Sequence, residues 1–349
     1  MEYAFDQASA TRGRRLPELA ALERMLDTAP AEVGVRTVCE VQADGERLPV
    51  YCVTLGNPDR DAPAVGFFGG VHGLERIGSH VLLHFLEALL GRLAHDDGLK
   101  RRLESLRLVF MPVVNPGGML LATRCNPRGV DLMRNAPVVA VQKVAFMLGG
   151  QRLSRHLPWY RGSGDTMEAE SRALCQVVEA ELLGRRFAVA LDCHSGFGMR
   201  DRIWFPYAHT TEPIRHLPEI HSLSKLFDQL CPRHGYLFEP QSAQYRTHGD
   251  LWDHLYQRAL EKAGTTFLPL TLEMGSWRWV VEKPRQLFSR PGLFNPRPGA
   301  RRERVLRDHV PWLEFLTCMG GTWADWLPAG AARAEHERAA RARWSGSHA

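Results

Sequence analysis

Apolar positions along the chain switch repeatedly between a strand period and a helix period. Leu19, Leu22 and Leu26 share one helical face over residues 17–27, and a pair of strand-like runs follows at about 36–41 and 48–55, joined through Asp44-Gly45. Residues 64–70 are a continuous apolar run that reads as a buried strand. After it Ile77, Val81, Phe85 and Ala88 recur at helical spacing through a segment ending near Gly91. A further apolar strand at 106–114 is halted by Asn115-Pro116-Gly117-Gly118. The alternation continues with a helix at 168–183, a strand at 187–192, a helix near 213–230 and a strand at 266–273. Strands alternating with helices predict an α/β fold: one domain, with a largely parallel sheet covered on both faces. In such sheets, functional groups collect just past the carboxyl ends of the strands.

The composition agrees with this picture. The chain has 349 residues with 44% apolar and 24% charged side chains, ordinary values for a globular domain, and no repeat or long linker divides it. The net charge of +5 is concentrated in residues 290–349, where ten arginines face six acids, so a basic nucleic-acid groove is not expected. Residues 1–329 are therefore read as one folded domain, and 330–349 as a basic, Ala/Arg-rich tail or helix. Seven scattered cysteines without a Cys-x-x-Cys spacing point to a reducing compartment and away from a zinc ribbon. The first twenty residues lack the apolar core of a secretory signal, and apolar runs elsewhere are broken before about 18 residues. The expectation is a cytoplasmic protein with no membrane and no nucleic-acid partner. The sequence fixes no oligomeric state.

Three of the strand ends carry candidate chemistry. The first reads Gly70-Val71-His72-Gly73-Leu74-Glu75, where an imidazole and a carboxylate three residues apart can converge on one metal ion, although His-x-x-Glu alone is a common spacing. The second delivers His194 to the end of an apolar strand. His72, Glu75 and His194 together would leave one coordination position of a zinc ion open for water, the arrangement of a catalytic rather than a structural site. The third strand ends at Glu273, placed by topology to take a proton from that water and return it to a leaving amine. Read singly, each of these is as readily a polar turn, a strand-end histidine satisfied by backbone, or a surface carboxylate.

Between these ends lies Arg124-Cys125-Asn126-Pro127-Arg128-Gly129-Val130-Asp131-Leu132-Met133-Arg134-Asn135. With it the whole set resembles the zinc metallocarboxypeptidases of the carboxypeptidase A type. That family carries His-x-x-Glu, an Arg, Gly-Val-Asp-x-Asn-Arg-Asn, a distant His, a Tyr and a catalytic Glu in this order. The resemblance implies a mixed sheet of about eight strands, and one Zn2+ per chain bound by His72, Glu75 and His194. It implies that Glu273 is general base and acid, and that Arg124 polarises the scissile carbonyl. Asp131 would orient His72 from behind the metal, Arg134 would pair with a substrate carboxylate with Asn135 beside it, and Tyr245 would cover the substrate. Asp253 and Tyr256 match the segment that follows that tyrosine. Trp159-Tyr160-Arg161-Gly162 and Glu168-Ala169-Glu170-Ser171 match a family loop and helix start. Trp252 falls near a position lining the family's specificity pocket, which implies a bulky apolar wall.

One residue departs from the pattern. Met133 stands where the family has an Asn before the clamping Arg, and a thioether donates no hydrogen bond to a carboxylate. The first expectation is a zinc hydrolase cleaving a peptide or amide bond beside a substrate carboxylate. The alternatives are an N-acyl-amino-acid deacylase of the desuccinylase and aspartoacylase type or a cell-wall peptide amidase, and, in a different class, a non-catalytic binding protein on the same fold. Other suggestive residues read as ordinary: His80 and His84 as surface histidines, Cys193 as a small buried hydrophobe, and Ser195 as no nucleophile, since no Gly-x-Ser-x-Gly elbow surrounds it. Trp277 and Trp279 wall the cleft or pack beneath it.

Overall fold

A computed structural model describes residues 16–164 and 166–344. The N-terminal stretch read for a signal lies mostly outside the described residues, as do the last five residues of the basic tail. Chain order is α1 (Pro17–Asp27), β1 (Gly34–Ala43), β2 (Glu46–Gly56), β3 (Ala64–Gly69), α2 (Arg76–Leu93), α3 (Asp97–Ser105), β4 (Arg107–Met111) and α4 (Pro116–Leu120). Then come α5 (Ala169–Glu181), β5 (Phe187–Ser195), β6 (Arg202–Phe205), α6 (Leu217–Leu230), β7 (Leu237–Pro240), α7 (Leu251–Leu260) and β8 (Thr266–Met274). The chain closes with α8 (Trp277–Glu282), α9 (Ala300–Gly321), α10 (Trp323–Trp326) and α11 (Gly330–Trp344).

The eight strands form one mixed sheet in the order β1-β2-β4-β3-β5-β8-β6-β7. Its centre, β4-β3-β5-β8, is parallel, while β2 and β6 run antiparallel to their inner neighbours. β3 and β5 are buried along their whole length, which is why β3 and the first five residues of β5 read as apolar runs. Chain order runs outward from β3 to β4 and then returns to β5 on the other side of β3. The crevice beyond the carboxyl ends of β3 and β5 is therefore the topological switch point, where α/β sheets bind ligands. Helix α2 lies close over β5, and Gly78 is what permits it: a Cβ there would run into the backbone carbonyl of Cys193.

The Asp44-Gly45 turn joins β1 to β2 as expected, both residues having positive φ, the geometry of a tight hairpin. The strand expected at 106–114 is shorter, ending at Met111, because the chain bends toward Asn115, whose side chain accepts from the Gly118 N–H at the start of α4. β6 and β7, at four residues each, are too short to show a period. The basic C-terminal stretch is, through Trp344, a helix docked on α6. Ala340 and Trp344 join the same buried core as the sheet, and Trp344 Nε1 donates to the Phe238 carbonyl at 2.7 Å. Among the described residues, no single helix is long and apolar enough to cross a membrane.

Candidate active site

The residues picked out at three strand ends meet in the crevice. His72 stands in the turn between β3 and α2, Glu75 immediately precedes α2, and His194 is the penultimate residue of β5. Nδ1 of His72 and Nδ1 of His194 lie 3.2 Å apart, and each is 2.9 Å from an oxygen of Glu75. The far nitrogen of each ring faces a buried carboxylate: His72 Nε2 is 3.2 Å from Asp131 Oδ1, and His194 Nε2 is 2.8 Å from Asp192 Oδ2. A carboxylate at Nε2 keeps the ring proton there and leaves Nδ1 as a lone pair. Two lone pairs and a carboxylate thus converge in one buried space, with ligand atoms all within 4.8 Å of one another, and this donor set fits a zinc ion.

The charges around this group are tightly balanced. Burial alone would raise Glu75, but the two histidines hold its carboxyl well below the usual range. Burial likewise opposes ionisation of Asp131, and Arg124, Arg134 and His72 overcome it. For His194, burial lowers the titration but Asp192 and Glu75 raise it well above the ordinary value. Arg124 bridges the two halves of the site, with Nη1 3.0 Å from Glu75 and Nε 3.0 Å from Asp131. Arg134 donates to Asp131 at 3.1 Å and to the Leu148 carbonyl at 3.2 Å.

Glu273 is paired in register with His194 on the neighbouring strand, so its carboxylate stands at the edge of the same crevice. Burial, reinforced by the negative charge of Glu75, pushes its carboxyl up to about 8. Its Oε1 accepts the Phe197 N–H at 3.1 Å. Tyr245 leans on Phe197 and Trp204, and burial together with Glu273 carries its phenol up to about 12 against the opposing pull of Arg134 and Arg124. The arrangement brings a metal-binding group, a high-titrating carboxylate, two guanidinium groups and a phenol together.

Two expected substrate residues sit elsewhere. Trp252 is buried against Phe68 and donates from Nε1 to Asp192 Oδ2 at 2.9 Å, so it supports His194 from behind instead of walling a pocket. Asn135 is also buried, and its amide is spent on backbone: Nδ2 donates to the Arg161 carbonyl, and Oδ1 accepts the Glu168 N–H. It fastens the long loop between Arg134 and α5, which Arg161 also ties down by donating to the carbonyls of Arg134 and Val138. Met133 packs into the hydrophobic core.

The other suggestive residues proved ordinary. His80 and Arg76 together hold Glu18, whose carboxyl lies at about 2 because these partners outweigh its burial. Cys193 is buried on the opposite face of β5 from its neighbour His194, and Ser195 Oγ donates to the Phe294 carbonyl. Sequence reasoning passed over Asp192, which needed only the observation that it lies two residues before His194 on the same strand face. It also passed over Asn295, which accepts the Ile77 N–H and donates to the Leu74 carbonyl. That residue caps α2 from 218 positions away, and no local signal announces it.

Comparison with known proteins agrees with the geometry. Residues 44–273 match the family model described as zinc carboxypeptidase. Carboxypeptidase E of Caenorhabditis elegans is 31% identical over 120 residues, covering 30% of this chain and 25% of that protein. The catalytic chain of mouse carboxypeptidase N is 26% identical over 163 residues, covering 43% of this chain and 34% of the relative. The aligned stretches thus span only a quarter to a third of these relatives. Among solved structures, carboxypeptidase A from Helicoverpa armigera aligns over 90% of this chain and 71% of its own, with TM-score 0.61 and 16% identity. Bovine thrombin-activatable fibrinolysis inhibitor, in complex with a tick carboxypeptidase inhibitor, aligns over 86% and 94% with TM-score 0.61 and 16% identity, so what these two share with it is the fold.

Proposed function

This chain belongs to the zinc carboxypeptidase family, and from that premise we propose that it hydrolyses a peptide or amide bond next to a substrate carboxylate. The observation that carries the proposal is the convergence of His72 Nδ1, His194 Nδ1 and Glu75 beside Glu273. When bound, zinc supplies the Lewis acid that polarises the scissile carbonyl and acidifies a water. The remaining roles fall to side chains. Glu273, in register with His194, accepts the proton of the attacking water and passes it to the leaving amine. Arg124, fixed by Glu75 and Asp131, presents positive charge to the oxyanion. Arg134 holds the substrate carboxylate, and Tyr245 closes over the substrate. Asp131 and Asp192 keep the two histidines in register.

Met133 favours a second reading of the substrate. With a thioether in the core where the resemblance implies an amide, Arg134 is left as the candidate clamp, which suits an N-acyl amino acid as well as a peptide. Zinc content, measured with hydrolysis of blocked dipeptides and of N-acyl amino acids before and after chelation, tests both. One zinc per chain with dipeptide cleavage lost on chelation and restored by zinc supports the peptidase. Cleavage of N-acyl amino acids alone selects the deacylase, and a chain without zinc overturns the site.

A further inference from the structure

A second cavity, of about 740 Å3, opens where the turn after α7 enters β8 at Thr266 and where α6 and α11 begin. Thr266 lies seven residues before Glu273 on β8, roughly 23 Å away at the rise of a strand. The cavity is therefore distinct from the crevice. Arg215, Lys262, Arg333 and Arg341 line it, against Glu219 and Glu337. Each acid is engaged by an arginine, Glu219 by Arg333 at 2.7 Å and Glu337 by Arg341 at 2.9 Å. Arg215 and Lys262 take part in no ion pair among the described residues, so two positive charges are left uncompensated.

Two further donors face the same space. Helix α11 starts at Gly330 after Pro328 and Ala329, neither of which has a side chain able to cap it. Its first intrahelical bond, from Arg333 N–H to the Ala329 carbonyl, leaves the first-turn N–H groups without a partner among the described residues, and Gly330 of that turn lines the cavity. His216, only 7% exposed, is the second. The Tyr256 hydroxyl accepts the His216 backbone N–H at 3.1 Å and lies 2.9 Å from Nδ1, the one acceptor for its own proton among the described residues, which assigns the ring proton to Nε2. That Nε2–H has no partner among the described residues. Burial, with Arg215 and Arg333, lowers His216 to about 4, which leaves the ring a neutral donor at pH 7.

We propose that this cavity binds a small molecule through a phosphate dianion, held by Arg215, Lys262, His216 Nε2–H and the open first turn of α11. A tetrahedral oxyanion suits donors arriving from several directions, whereas a planar carboxylate does not, and its double charge matches the two free cations. The cavity is larger than the ion alone needs, so the phosphate is attached to a further group.

Titration calorimetry of the zinc-loaded full chain with inorganic phosphate and with pyrophosphate, at constant ionic strength, tests this. The expected result is saturable binding of one anion per chain, weakened tenfold or more in an R215E/K262E variant that keeps wild-type hydrolytic activity. Both residues are exposed and remote from the crevice, so the variant is expected to fold. Equal affinity in wild type and variant would place the anion elsewhere, the zinc included, and overturn the proposal. Absence of saturable binding, or chloride competing as well as phosphate, overturns it equally.

Discussion

Asp192 Oδ2 lies 2.8 Å from Nε2 of His194, two residues further along the same face of β5. The same oxygen accepts the Trp252 indole N–H at 2.9 Å, while Asp192 Oδ1 is buried without a partner among the described residues. A buried carboxylate with one oxygen unsatisfied depends heavily on the donors it has. Trp252 therefore bears on the metal group through two successive hydrogen bonds.

Replacing Trp252 by Phe keeps an aromatic ring against Phe68 and removes only the N–H. Zinc affinity is expected to fall about tenfold, the low end of losses from groups behind a ligand, with substrate preference unchanged. Competition with a chromogenic chelator reads the first, and a panel of terminal side chains reads the second. A changed preference with undiminished zinc affinity would restore Trp252 to the substrate pocket.

Glu273→Gln preserves size and the acceptor oxygen for the Phe197 N–H but cannot take up a proton. Turnover is expected to fall by a factor of about 10² to 10⁴, with zinc content equal to wild type. Activity unchanged in the zinc-loaded variant would remove Glu273 from the proton path.

The central strands were legible because β3, β5 and β8 are covered on both faces and so are mostly apolar until their carboxyl ends. The metal group was legible for a related reason: β3, β5 and β8 run parallel, so their carboxyl ends share one side, and the ordered motifs of the resemblance singled out His72, Glu75, His194 and Glu273 among the residues there. Trp252 and Asn135 were misjudged because proximity in a motif says nothing of which way a side chain turns. Trp252 turned under β5 to Asp192, and Asn135 turned to the backbone of the following loop. Helix α9 drew no bounds from the sequence, because its 22 residues carry Pro311 inside, a residue that ordinarily breaks a helix.

Arg134→Lys tests the clamp. A lysine retains the charge but loses the planar fork that meets both oxygens of a carboxylate. For a substrate ending in a free carboxylate, KM is expected to rise about 10- to 100-fold, in line with a charge-assisted bond, while its C-terminal amide is affected much less. Equal changes for acid and amide would mean that Arg134 serves only to hold Asp131 and the Leu148 loop.

The α6–α11 contact predicts a weakness to acid. His221 Nδ1 and His336 Nδ1 lie 2.9 Å apart across it, with Arg343, Lys225, Asp228, Glu335 and Glu219 around them. Burial, then His336, Arg343 and Lys225, lower His221 to about 4 against the pull of Asp228. Burial and Lys225 lower His336 against Glu335 and Glu219. In the unfolded chain a histidine takes up its proton near pH 6.5. Between there and about 4 the unfolded state binds more protons at His221 than the folded state, so stability is present at neutral pH and is lost as pH falls through this window. Tm is expected to drop by several degrees from pH 7 to pH 5, and the drop is expected to shrink in His336→Gln, which keeps a hydrogen-bonding partner for His221 but cannot be protonated. The same drop in both proteins would show that acid acts elsewhere in the fold.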